Sequence, residues 1–309
     1  MDTRSNWHGR KVLITGASGF IGRHLVEQAL QAGAIVTTLS RSPAYTSGVS
    51  EHQTLDIGDR ESVRQVVKKL QPAAILHAAS GGISEKAEFS EMLRSNALGT
   101  DNVLSAAVAL SEPVSVVMAG SGYEYAAQPR PLSEDDPVFP TSPYGISKAA
   151  ATFCAANYAR HMPITVLRIF NVYGPGERLP RLLPYIVQCA KLGNTVELTA
   201  CEQIRDFVYV RDVASLFWQA LESPPNDGRL RILNIGSGSA RPLKAFVCTI
   251  TRALERQGLK VQVRFGARPY KPGEPMYYAA DTRRLQSTLG RLQFKTYGAG
   301  IQETLEARV

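Results

Sequence analysis

Short apolar runs alternate with segments of helical period between residues 11 and 169, and this alternation leaves few architectures open. KVLIT (11–15), AIVTTL (34–39), AAILHA (73–78), VSVVMA (114–119) and ITVLRI (164–169) carry almost no polar alternation. Strands of that kind are covered on both faces, as in parallel sheets. Between them, apolar residues recur at helical spacing in 20–32 (Ile21, Leu25, Val26, Ala29), 63–70 (Val63, Val66, Val67, Leu70), 91–110 and 144–159. Repeated βα units predict an α/β fold: a Rossmann-type, doubly wound parallel sheet. After Gly174 the pattern loosens. Segments 178–192, 211–222 and 242–257 read as helices, 230–235 and 261–265 as strands, and the remainder is rich in Gly, Pro and Arg. The expected division is a Rossmann domain over 1–175, to which about 206–236 return, and a smaller C-terminal lobe over 176–309.

Directly after the first run stands Thr15-Gly16-Ala17-Ser18-Gly19-Phe20-Ile21-Gly22, with glycines at GxxGxxG spacing. One glycine permits a tight turn, one lets main-chain N–H groups approach a pyrophosphate, and one lets the helix pack close to the strand. The helix N-terminus then turns its positive end to the phosphates. Gly16, Ser18, Gly19, Phe20, Ile21 and Gly22 are therefore expected to bind a dinucleotide. An acidic residue closing the second strand would favour NAD through the ribose hydroxyls. The sequence has Leu39-Ser40-Arg41-Ser42 instead. Arg41, with Ser40 beside it, suits an additional phosphate, because guanidinium–phosphate pairing is bidentate. The expected cofactor is NADP(H) in preference to NAD(H), with Asp56 and Ile57 meeting the adenine.

Pro143-Tyr144-Gly145-Ile146-Ser147-Lys148 places Tyr144 and Lys148 on one helical face. A free phenol, with a pKa of about 10, is a poor acid or base near neutrality. A lysine cation and a positive nicotinamide ring are expected to lower that value. The phenol can then give a proton to a carbonyl oxygen becoming an alkoxide, or take one from an alcohol. Ser121, just past the strand 114–119, can hydrogen-bond the same oxygen. Ser121, Tyr144 and Lys148 are the catalytic candidates.

Together TGASGFIG, HAAS (77–80), AGSGYEYA, PYGISK, RIFNVYGPG and RDFVYVRDV resemble the extended short-chain dehydrogenase/reductase family. More narrowly, they resemble its NAD(P)-dependent epimerase/dehydratase branch, which acts on nucleotide sugars. The resemblance runs from about residue 10 to about residue 300. It implies that Ser121, Tyr144 and Lys148 are catalytic and that His77, Ala78 and Ala79 border the cofactor. Asn96 of SNALGT would support a water chain and the cofactor. Asn171 and Arg205 would touch the diphosphate of the substrate, while Ser80, Gly122, Tyr123 and Arg178 would line the rest of its site. Relatives often carry arginine in R-P-G-[DE]; here the segment is Lys271-Pro272-Gly273-Glu274, so Lys271 shares that task with Arg268 or cedes it. The resemblance also implies a homodimer joined through the helix at 91–110 and the catalytic helix, where Ala149–Ala156 permits close contact.

Epimerases, dehydratases, decarboxylases and 4-keto reductases share this scaffold, so the fold does not choose among them. Dehydratases of the family place Asp-Glu after their Ser/Thr, because eliminating water needs a further acid and base. Here Gly122-Tyr123 follows, and Glu124-Tyr125 resembles the 4-keto reductases acting on GDP-linked 6-deoxysugars. Cys154 has no histidine placed opposite it, which argues against 3,5-epimerisation. The favoured expectation is NADPH-dependent reduction of a 4-keto (6-deoxy)hexose linked to a nucleotide. The alternatives are an NAD-retaining 4-epimerase and, from a different class, a non-catalytic dinucleotide sensor, for which an intact proton donor has no use.

The net charge of +8 is dispersed along the chain. No nucleic-acid-reading motif accompanies it, so no nucleic-acid partner is expected; dispersed basic charge suits small polyanions. Four cysteines without a CxxC give neither a disulfide framework nor a metal site. No run approaches the ~20 apolar residues of a membrane span. A cytoplasmic protein with no membrane partner is expected.

Overall fold

The computed structural model describes residues 7–43, 47–81 and 87–307. Strands β1 (Lys11–Thr15), β2 (Ile35–Ser40), β3 (Glu51–Thr54), β4 (Ala74–His77), β5 (Ser115–Ser121) and β6 (Ile164–Ile169) come first in the chain. Four short strands follow, β7 (Asn171–Tyr173), β8 (Val196–Glu197), β9 (Ile204–Arg205) and β10 (Phe207–Tyr209), before β11 (Arg231–Ile235). β11 joins the edge of the main sheet, whose order is β11-β6-β5-β4-β1-β2-β3. Every pairing in this sheet is parallel. The doubly wound parallel sheet predicted from the apolar runs is therefore present.

Helices cover both faces. On one side α1 (Phe20–Gln31), α7 (Val210–Glu222) and α9 (Arg283–Leu289) bring Leu25, Val26, Phe217 and Leu285 onto the sheet. On the other, α2 (Arg60–Leu70), α4 (Gly99–Val108) and α5 (Pro143–Tyr158) bring Val63, Val67, Leu104 and Ala151. A third core gathers Ile186, Phe246, Ile250, Leu254 and Ile301 from α6 (Leu182–Leu192), α8 (Leu243–Arg256) and α10 (Tyr297–Glu306). Around it run the small pairings β7 with β10, β8 with β13 (Val263–Arg264), and β9 with both β12 (Arg241–Pro242) and β14 (Tyr277–Tyr278).

Local chemistry fixes where the helices start. Ser142 caps α5 by accepting from the Gly145 N–H at 3.1 Å, and Pro143 takes the first helical position, where no donor is needed. Asp59 caps α2 through the Ser62 N–H. The helix expected over 91–110 is interrupted. A short α3 (Phe89–Leu93) leads into a π-helical turn at Arg94–Leu98, and α4 begins only at Gly99. β3 had no apolar run to announce it: its sequence is EHQT, on the sheet edge, and it exists by pairing with β2.

The glycine turn between β1 and α1 shows why two of its glycines are required. Gly16 has φ +70°, and a Cβ on it would lie 2.5 Å from the Ala79 nitrogen. A Cβ on Gly22 would lie 2.1 Å from the Gly16 carbonyl oxygen, so α1 rests directly on the turn it follows. Gly22→Ala is expected to cost about 1–3 kcal/mol through overpacking. A urea melt would read this; an unchanged midpoint would contradict that packing.

Candidate active site

The carboxyl ends of β1, β4, β5 and β6 meet along one edge of the sheet, with Thr15 opposite His77 and Ser121 opposite Ile169. α5 lies across this edge and brings Tyr144 and Lys148 toward Ser121. The helix starts just before Tyr144 because Ser142 caps it there.

Ser121 closes β5 and opens a single 3-10 turn, Gly122–Glu124. Its hydroxyl accepts from the Tyr123 N–H at 3.2 Å, and its own N–H donates to Glu124 Oε1 at 2.8 Å. Tyr144 is half-buried, and desolvation raises its pKa. The hydroxyls of Ser80 and Ser121 and the charge of Arg181 act the other way. This corrects the expectation of a lowered value: the Lys148 ammonium donates to the Ala119 carbonyl oxygen instead. Burial pushes the Lys148 pKa down to about 8, opposed by the negative charge of Glu124.

The groups expected to border a cofactor surround this trio. His77 is buried, its ring nitrogens meeting the Thr15 hydroxyl at 2.7 Å and the Thr100 hydroxyl at 3.0 Å. Desolvation, with the Lys148 charge adding to it, drives its pKa down to about 3, so the ring is neutral. It braces the strand end that leads into Ala78 and Ala79. Asn96, in the π-helical turn, accepts from Ser80 Oγ at 3.1 Å and from the Gly81 N–H at 2.9 Å. Its amide donates to the Gly81 carbonyl at 3.0 Å and to Ser147 Oγ at 2.8 Å. One side chain thus ties the loop after β4 to α5.

A dinucleotide fits the residues present. Gly16 and Gly22 leave no side chain between turn and helix, and Gly19 stands at the N-cap of α1 without a side chain to satisfy the first-turn N–H groups. Ser18, Phe20 and Ile21 are half-buried around this turn. Arg41 is exposed at the end of β2, where Ser40 Oγ donates to the Ser42 carbonyl at 2.6 Å. Asp56 is held by the Gly58 N–H and by Arg94 at 3.1 Å, and Ile57 packs on Gly99.

The residues expected to contact substrate fall into two groups. Gly122 and Tyr123 adjoin Ser121. Tyr123 stacks on Tyr278 with ring centroids 4.8 Å apart, and Tyr278 packs on Phe170 at 4.7 Å. Further out, Asn171 Nδ2 donates to the Asp206 carbonyl, and Arg205 pairs with Glu274 at 3.1 Å while still largely buried. Arg268 packs over the Tyr185 ring, and Lys271 is exposed at the turn whose carbonyl accepts from the Glu274 N–H. Arg178 lines a largely apolar cavity of about 420 Å³ beside α6, together with Glu177, Leu183 and Val187. The motifs did not bring out Tyr278, and Phe170 stands within RIFNVYGPG without having been singled out. Tyr278 Oη is buried without a hydrogen-bond partner, and a Cβ on Gly122 would lie 2.6 Å from it.

Residues 12–236 match the profile of the NAD dependent epimerase/dehydratase family. The chain belongs to this family. The resemblance to extended short-chain dehydrogenases/reductases is thereby borne out. Relatives include the dTDP-glucose 4,6-dehydratase of Neisseria gonorrhoeae, 26% identical with 96% of this chain and 95% of the relative covered. The dTDP-6-deoxy-L-talose 4-dehydrogenase (NAD(P)(+)) of Kitasatospora kifunensis is 28% identical, again with 96% and 95% covered. Among solved structures, MoeE5 in complex with UDP-glucuronic acid and NAD matches with a TM-score of 0.84 and 31% identity, covering 96% of this chain and 98% of that one. Among the described residues no group of three or more His, Cys, Asp or Glu could hold a metal, and no helix is long and apolar enough to cross a membrane.

Because kcat/KM reports ionisations of the free enzyme, it is expected to fall as pH rises through about 8, where Lys148 loses its charge. A profile that stayed level up to about pH 10, the range of an ordinary phenol or lysine, would contradict this electrostatic account.

Proposed function

We propose that the protein reduces the 4-keto group of a nucleotide-linked 6-deoxyhexose, with hydride from NADPH and a proton from Tyr144. The observation that carries this reading is the packing behind Ser121. Elimination of water requires a further acid and base. At residue 122 the space for a side chain is filled by Tyr278 Oη and the Phe170 ring, residue 123 is a tyrosine, and Glu124 is locked to Arg168 at 2.7 Å with no exposure. One proton donor remains, which suits addition of hydride to carbon and a proton to oxygen.

Burial keeps Tyr144 protonated at neutral pH, the state in which a reduction begins. Ser121 would hydrogen-bond the same oxygen, and the Lys148 charge would offset the phenolate left when the proton departs. When bound, NADPH supplies the hydride. The glycine turn Gly16–Gly22 would hold its pyrophosphate and Arg41 its additional phosphate. Asn171, Arg205, Arg268 and Lys271 would hold the diphosphate of the sugar nucleotide, while Ser80, Gly122 and Tyr123 line the sugar. The Kitasatospora relative is named for redox chemistry at carbon 4 of a nucleotide-linked 6-deoxysugar, and MoeE5 is bound to a nucleotide sugar and NAD. Both support the substrate class.

Incubation with NADPH and a panel of 4-keto-6-deoxy nucleotide sugars tests the reading. Stoichiometric NADPH oxidation is expected, with NADH the poorer donor and the preference reduced in Arg41→Ala. Interconversion of 4-hydroxy nucleotide sugars epimeric at C4, with tightly held NAD and no net cofactor consumption, would make the protein a 4-epimerase instead. Tyr144→Phe should lower turnover by about 10²–10⁴-fold, the range for loss of a general acid, while cofactor binding persists. A cofactor-dependent activity unaffected by this change would contradict the assignment.

The same reading includes a homodimer formed through the helical segment 91–110 and α5. Ala149, Ala151 and Ala155 face their own core, so they are not the contact surface. Leu98, Ile146 and Phe153 point outward, at 59%, 41% and 63% exposure. Exposed apolar side chains of this kind suit a self-complementary two-fold interface. Phe153→Glu should convert a dimer to a monomer in light scattering; a wild-type monomer would refute the interface.

A further inference from the structure

Glu124 is fully buried, yet it belongs to no part of the reaction as proposed. It gathers three donors from three elements. The Ser121 N–H reaches Oε1 at 2.8 Å, while Thr152 Oγ1 and Arg168 Nε reach Oε2 at 2.9 and 2.7 Å. Thr152 lies four residues beyond Lys148 on α5 and therefore on the same face. Arg168, on β6, is held in turn by the Tyr125 ring, 4.4 Å from its guanidinium carbon, and Tyr125 Oη donates to Asn234 of β11 at 2.7 Å. The carboxylate thus joins the strand end carrying Ser121 to the helix carrying Tyr144 and Lys148.

We infer that Glu124 is a positioning residue: clamped by Arg168 and Thr152, its carboxylate fixes the main chain of Ser121 and stands as the acidic group beside Tyr144 and Lys148. The inference rests on the reading of Tyr144 as the proton donor. A buried ion pair adds little that apolar residues of similar volume could not, so stability alone gives weak grounds for this pair at the foot of the serine. Geometry gives better grounds, since misplacement of about 1 Å near reacting groups costs on the order of 10²-fold in rate.

The charge has its own signature. The Glu124 carboxylate acts to raise the pKa of both Tyr144 and Lys148. The other groups facing the pair do not duplicate it. His77 of β4 is neutral, Arg181 before α6 acts oppositely on Tyr144, Arg168 of β6 is paired with Glu124 itself, and Tyr278 of β14 is an uncharged phenol with a strongly raised pKa. Removing the carboxylate charge therefore shifts both ionisations to lower pH.

The test compares wild type, Glu124→Gln, the double variant Glu124→Met/Arg168→Met and Tyr144→Phe, using the 4-keto nucleotide sugar that the wild type reduces with NADPH. The double variant leaves no buried charge uncompensated, so it keeps the test informative if Glu124→Gln alone does not fold. The expected result is a kcat lowered about tenfold or more with KM within about twofold, and a basic limb of the pH profile moved to lower pH. Folded Glu124 variants that keep both kcat and pH profile, beside an inactive Tyr144→Phe, would overturn this inference alone. Full turnover by Tyr144→Phe would overturn the proton-donor reading and this inference with it.

Discussion

Parallel pairing from β2 through β1, β4 and β5 to β6 puts the carboxyl end of each strand on one edge, and the candidate site inherits its geometry from that ladder. Thr15 faces His77, Met118 stands beside His77, and Ser121 stands beside Ile169 by register alone. A slip of one residue would turn these side chains to the opposite face of the sheet. The glycine turn is subject to the same constraint. Gly16 sits against the Ala79 backbone just past the end of β4, so the glycine turn and the strand that leads to Ser80 are locked together.

Above this frame most of the buried charge is compensated or absent. Arg168 and Glu124 compensate one another, His77 is neutral between two hydroxyls, and Lys148 donates to a main-chain carbonyl. Low polarity around Tyr144 makes its phenolate costly, which favours a group that begins a cycle protonated. The same arrangement explains the glycine after Ser121. With Tyr278 Oη 2.6 Å from where its Cβ would lie, a side chain at residue 122 would meet that ring.

The sheet was legible because its inner strands are covered on both faces and so spell continuous apolar runs. KVLIT and ITVLRI coincide with β1 and β6 residue for residue. β3 was not legible, since an edge strand of sequence EHQT owes its conformation to its neighbour rather than to composition. The helices α9 and α10 were missed for a related reason: short segments containing Gly298, Gly300 and several arginines carry a weak periodic signal, and tertiary packing decides them. In the site, Ser121, Tyr144 and Lys148 stood out because two of them share a helical turn and the third ends a strand. The electrostatics did not stand out. The direction of the Tyr144 shift depends on enclosure and on Lys148 finding the Ala119 carbonyl, neither of which spacing can reveal. Glu124 meets Arg168 across 44 positions of sequence, and Tyr278 reaches Gly122 from a segment that reads as irregular.

The claim at the centre of this account is that hydride passes from the cofactor to the sugar and stays there. A single turnover with NADPH deuterated at C4 of the nicotinamide, followed by mass and NMR analysis of the sugar nucleotide, addresses it directly. With both C4 hydrogens of the nicotinamide labelled, one deuterium at C4 of the hexose and an equivalent of oxidised cofactor is the result expected of the proposed reduction. A reduced sugar without deuterium, or all of the isotope still in the reduced cofactor beside an unchanged 4-keto sugar, would contradict it.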